Sequence, residues 1–107
     1  VADNQATTYP LLSSVTTTAT GEAISFGSDA YAIHAVVVGT GAVTAVVVIE
    51  ASNFDGFVYP MTLGTITLSG TNSAADGFSA YAPWKAIRAK VTAVSGTGAA
   101  VSVLVGV

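Results

Sequence analysis

The chain has 107 residues, a net charge of −3, no cysteine, and a charged fraction of 8%, against about 25% in an ordinary soluble protein. That length fits one domain with a core of its own. The missing cysteines exclude a disulfide framework, a thiolate zinc site and a thiol nucleophile, and three basic residues are too few for a nucleic-acid surface.

The first segment, Val1–Pro10, is polar, without the basic and apolar regions of a signal peptide. Residues 1–20, including "SSVTTTAT", read as an extended N-terminal arm or edge strand. Residues 21–107 read as a single β-sandwich domain. A short strand is expected at Glu22–Phe26, between Gly21 and Gly27.

Ala32–Ile49 is long and uncharged, but it is rich in valine and holds His34, Thr40, Thr44 and two glycines. It reads as a hairpin rather than a membrane helix: strand Tyr31–Val38, turn "GTGA", strand Val43–Ala51. Val36, Val38, Val46 and Val48 lie opposite Ile33, Val37, Val47 and Ile49, so this hairpin is apolar on both faces and has to be covered twice.

"SNFDGF" (Ser52–Phe57) is a loop signal, and Thr62–Ser69 a strand ended by "GTNS". Phe78–Tyr81 adds a short piece before Pro83. Ala86–Val94 alternates, with Ile87, Ala89, Val91 and Ala93 on one face and Arg88, Lys90 and Thr92 on the other. A second turn, "SGTGA", leads to Ala100–Val107, with Val101, Val103, Val105 and Val107 inward. Helical periodicity is almost absent. The expected fold is all-β: an antiparallel sandwich, with barrel-like, Greek-key and jelly-roll variants open, and an extended N-terminal arm.

The chemical signals are thin. Each "GTG" lacks the third glycine and the following helix of a dinucleotide loop, and no lysine follows as in a P-loop. His34 is the only histidine, and no spacing supplies a triad or a metal site around it. Asp29, Asp55 and Asp76 fall in loops without a calcium-binding pattern. Glu22 and Glu50 have no feature of a glycosidase pair beyond their existence. Phe54, Phe57, Tyr59, Tyr81 and Trp84 offer aromatic area, of which Phe54, Phe57, Tyr59 and Trp84 form the candidate ligand platform; the competing expectation is that they plug the sandwich ends. Lys85, Arg88 and Lys90 suit either solvent or an acidic partner. Neither an enzyme nor a cofactor is expected.

The order "ATGEAISFG", "VVVGTGAVTAVVVIEASN", "LGTITLSGT" and "PWKAIRAKVTAVSGTGA" resembles small β-sandwich virion proteins of tailed bacteriophages, from about Thr20 onward. In that family an "SNDG" loop is commonly followed by Trp; here Phe54 interrupts the motif and "FVYP" follows, which puts Phe57 or Tyr59 in that place. The resemblance implies a structural virion component. The composition suits a capsid decoration (cement) protein on the head surface, assembled in the host cytoplasm. Its expected partners are the major capsid protein or other virion proteins and its own copies as a dimer or trimer, with no nucleic acid and no membrane. The alternative is a tail or neck protein that binds carbohydrate. The expected interface is the arm (Asp3, Tyr9, Leu11, Leu12) and the outer face of the first hairpin (His34, Val36, Val46, Val48).

Overall fold

The computed structural model describes residues 8–25, 30–81 and 84–107. Among the described residues there is no helix, and five antiparallel strands make up the fold: β1 (Thr8–Val15), β2 (Ala19–Thr20), β3 (Ala30–Ser52), β4 (Met61–Tyr81) and β5 (Ala86–Gly106). They form one sheet in the order β1-β5-β3-β4, with β2 continuing along β5 beyond β1. Ile24 adds one further bridge to Ile87, where the sequence suggested the strand Glu22–Phe26.

Three strands are far longer than the sequence reading allowed. At about 3.3 Å per residue β3 would reach roughly 76 Å, yet the longest dimension of the molecule is 42 Å. The strands therefore bend, and they bend at the glycine motifs. In β3 the motif is Gly39–Thr40–Gly41, in β4 Gly70–Thr71–Asn72, and in β5 Gly96–Thr97–Gly98. The third residue of each has positive φ: 75° at Gly41, 66° at Asn72 and 65° at Gly98. Thr40 pairs with Thr97 and Ala42 with Thr71, so the three bends lie side by side. The Gly41 N–H donates to Asn72 Oδ1 at 2.8 Å, tying two of them together. A Cβ on Gly39 would lie 2.9 Å from the Thr97 carbonyl oxygen, so only glycine lets the neighbouring bend approach.

The two "GTGA" stretches are thus not hairpin tips. Tyr31–Val38 and Val43–Ala51 do not pair with each other; each pairs with β4 on one side and β5 on the other. The sheet folds in half along the line of bends, which places its two halves face to face. The first layer holds β1 and the halves of β3, β4 and β5 nearest Ala30, Tyr81 and Gly106. The second holds β2 and the halves nearest Ser52, Met61 and Ala86. Contacts cross between the layers, among them the following two. Tyr31 donates its hydroxyl to the Trp84 carbonyl at 2.9 Å. The Phe78 ring covers Gly64, where a Cβ would lie 2.7 Å from the ring.

A folded sheet keeps one face inside along its whole length. Tyr31, Ile33, Ala35 and Val37 are buried, and the same parity continues through Val43, Ala45, Val47, Ile49 and Ala51. In β5 it runs through Ile87, Ala89, Val91, Val101, Val103 and Val105. Ala93, expected inward, is exposed because a register shift sets Val46 opposite Ala93 but Val47 opposite Val91. Each fully buried valine contributes about 1.5–3 kcal/mol, which makes this stripe the main source of stability.

Candidate functional surfaces

Folding the sheet gives it two outer faces of different character. On the first layer, rows run across β5, β3 and β4: Leu104, His34, Gly77; Ser102, Val36, Ala75; and Ala100, Val38, Ser73. Pro10 of β1 extends the first row beside Leu104. None of these residues is charged. Val38 is 48% exposed and Leu104 43%, and His34 is exposed. On the second layer the rows pair Val48 with Thr65 and Lys90, and Glu50 with Thr62 and Arg88.

The expected interface is therefore split. His34 and Val36 lie on the uncharged first-layer face, while Val46 and Val48 are half-buried on the opposite face. The reason is the fold-over: the two halves of one bent strand point their outer side chains in opposite directions. Leu11 and Leu12 belong to the core of this chain, because β1 joins the sheet instead of standing off as an arm. Tyr9 is 40% exposed at the same strand. Asp3 and Asp29 lie outside the described residues.

The second candidate is the loop from Asn53 to Pro60, between β3 and β4. Its base is well tied. Ser52 is buried; its Oγ donates to the Val58 carbonyl at 2.6 Å and accepts the Phe54 N–H at 3.1 Å. Asn53 Oδ1 accepts the Lys85 N–H at 2.8 Å, and the Lys85 ammonium meets Asp55 at 2.6 Å. That hydrogen bond, with the charge of Lys85, holds the Asp55 carboxyl below the usual carboxylate range. Arg88 Nε donates to Glu50 Oε1 at 2.8 Å, and its guanidinium lies 4.5 Å from the centre of the Phe57 ring. Glu50 is thus engaged by a cation.

Around the exposed Asp55 the loop presents aromatic rings, and its backbone is strained. Phe57 and Tyr59 have φ of 53° and 52°, a left-handed conformation that costs a bulky residue about 1–3 kcal/mol. Phe54 is 59% exposed and Tyr59 77%, and their rings meet edge to face at 5.3 Å. The four-residue platform expected from the sequence reduces to this pair. Phe57 is half-buried under Arg88, and Trp84 packs against the core with its Nε1 buried and unpartnered among the described residues.

The remaining chemical candidates stay apart. Among the described residues no three His, Asp or Glu side chains gather as a metal site would require. Asp76 lies on β4, not in a loop, and its Oδ1 accepts the Gly77 N–H at 2.8 Å. An open depression of about 390 Å³ lies between Ala30–Ala32, Ser79–Tyr81 and Gly106–Val107. Sequence reasoning had not singled it out, because it arises only where three distant strand ends meet.

No protein-family model, characterised protein or solved structure matches this chain.

Proposed function

We propose that this is a non-enzymatic structural protein of a virion, a capsid decoration (cement) protein that stabilises a phage head by bridging capsid subunits. The observation that carries this reading is the uncharged outer face of the first layer, centred on His34, Val36, Val38 and Leu104. Burying a charge against a partner is costly unless it is paired, and this face asks for no such pairing. Its small residues (Ala75, Ala100, Gly77) let a flat neighbour approach closely. Bound copies favour the assembled shell by mass action, with a gain that grows with their concentration over Kd. The sequence resemblance supports the same reading.

The test is binding to shells assembled without the protein. Wild type is expected to co-sediment with them and raise their melting temperature. Leu104→Glu and Val36→Glu, both on the outer face, are expected to abolish co-sedimentation while the isolated protein stays folded. Wild-type protein that ignores the shells, or variants that bind as well as wild type, would remove the proposal.

A second reading rests on the exposed Phe54–Tyr59 pair: a tail- or neck-associated protein that stacks sugar rings on this loop. A glycan array separates the two, since Tyr59→Ala would erase any glycan signal and leave shell binding unchanged. An array with no signal for wild type removes the second reading alone.

A further inference from the structure

The sheet has two edges, and they are not equally protected. Exposed edge strands invite pairing with another chain, and stable proteins blunt them with proline, charges, bulges or bends. The β1 edge is blunted. It contains Pro10, shifts register against β5 twice, and holds Ser14 at a φ of 49°. The other edge is β4, whose described neighbour is β3 alone. Its half after the bend is guarded by Asp76, whose carboxylate already occupies the Gly77 N–H.

The half before the bend has no such guard. A register irregularity between Ile49 and Glu50 leaves Leu63 unpaired at one end, and the bend at Asn72 closes the other. Between them Gly64–Gly70 runs in unbroken register against β3. It has no charge and no proline, and it is rich in β-branched residues, the composition that favours strand pairing.

The order of residues there is chemically palindromic: Gly64, Thr65, Ile66, Thr67, Leu68, Ser69, Gly70. Thr65, Thr67 and Ser69 are exposed on the outer face, and Ile66 and Leu68 are buried on the inner face. An antiparallel two-fold axis through Thr67 would set Thr67 against Thr67 of a second copy and Thr65 against its Ser69. On the inner face Ile66 would meet its Leu68, and at the ends Gly64 would meet its Gly70. Hydroxyls would face hydroxyls and aliphatic groups aliphatic groups, which are favourable cross-strand pairs. A two-fold interface requires this kind of self-complementarity, whereas an unrelated partner does not.

We infer that Gly64–Gly70 of β4 is a homodimerisation edge, pairing antiparallel with the same segment of a second copy about a two-fold axis at Thr67. The inference concerns a different surface from the first-layer face and does not rest on the proposed virion role.

The natural chain has no cysteine, so single cysteines report pairing directly. Thr67→Cys, Thr65→Cys and Thr44→Cys are each oxidised at the same protein concentration, and cross-linked dimer is read on non-reducing gels. Facing cysteines on paired strands lie within disulfide reach. Thr67→Cys is expected to cross-link at least ten-fold more than Thr65→Cys or the Thr44→Cys control. The double variant Thr65→Cys/Ser69→Cys is expected to recover the high yield. Light scattering on wild type should give twice the monomer mass, and Thr67→Lys should return it to the monomer mass with an unchanged far-UV spectrum. Monomeric wild type at millimolar concentration, equal cross-linking at all positions, or a trimer built through β1 would overturn the inference.

Discussion

Asn72 is the one bend residue of the three that is not glycine, and it tests the idea that the strands fold over at coincident bends. Its backbone sits at a φ of 66°, and its side chain accepts the Gly41 N–H across the fold line. Asn72→Ala removes that hydrogen bond, worth about 0.5–1.5 kcal/mol. It also puts an alanine into the left-handed region, which costs about 1–2 kcal/mol. The expected total is about 1.5–3.5 kcal/mol. Unfolding entropy near 2.1 cal/mol/K per residue gives about 0.22 kcal/mol/K for this chain, so each kcal/mol moves Tm by about 4–5 °C. Asn72→Ala should therefore lower Tm by roughly 7–16 °C. Asn72→Gly loses the hydrogen bond but adds no backbone strain, so its loss should be about 0.5–1.5 kcal/mol, less than half as large. Calorimetry with parallel urea titrations measures both. If Asn72→Ala melts with wild type, or if Asn72→Gly is as damaging as Asn72→Ala, the bend is not held as described.

Val47, fully buried at the centre of β3, should lose about 2–3 kcal/mol on truncation to alanine, from two methyl groups and the void they leave, read as a urea midpoint at unchanged m-value. Arg88→Ala leaves Glu50 half-buried without its cation and Phe57 without its cover, so amide exchange from Asn53 to Tyr59 should accelerate at least ten-fold while exchange in β1 does not change. The Asp55 carboxyl titrates below the usual range because of Lys85; by NMR its pKa should rise toward the ordinary value in Lys85→Ala and in molar salt. A folded pKa held below the unfolded one makes this pair stabilising above the unfolded pKa, and the contribution is lost as pH falls through the folded pKa; because Asp55 is fully exposed, the thermal midpoint should hardly register it. Asp76→Ala frees the Gly77 N–H on the guarded half of β4, and light scattering should then show species larger than wild type at equal concentration.

The strand content and the buried stripe were legible in the sequence because side-chain alternation is local. Ile87, Ala89 and Val91 were assigned inward from period two alone, and they are buried. The pairing was not legible. A Gly-x-Gly between two valine runs supplies positive φ equally well for a tight reversal and for a fold in a continuous strand. What separates the two is whether Val38 finds its partner in its own other half or in Ser73 and Ala100, and that is a long-range matter. One local clue was present. "GTN" at Gly70–Asn72 is a third copy of the motif in a segment read as one strand and its terminator, and Asn is the other residue that readily takes positive φ. The candidate surfaces were misassembled for the same reason. Val36 and Val46 share a strand and an outward parity, and only the fold-over sends them to opposite sides.

The repetition of the motif follows from this geometry. When a sheet folds across its strands, every ladder crossing the fold has to change direction at the same level or its hydrogen bonds shear apart. Thr40 stands opposite Thr97, and Ala42 opposite Thr71, so β3 forces a bend in both neighbours within two residues of its own. The N-terminal chain meets the same demand by breaking: β1 pairs as far as Val15 with Val101, and β2 resumes at Ala19 with Val91. The two copies of "GTGA" are therefore accounted for by register between adjacent strands, without invoking duplication of a hairpin. The same constraint explains why the regular stretch of β4 with β3 as its only described neighbour is so short. The bend at Asn72 ends the regular ladder on one side and the unpaired Leu63 ends it on the other. Seven residues remain, and their alternation of buried and exposed side chains restricts the register in which any further strand can pair with them.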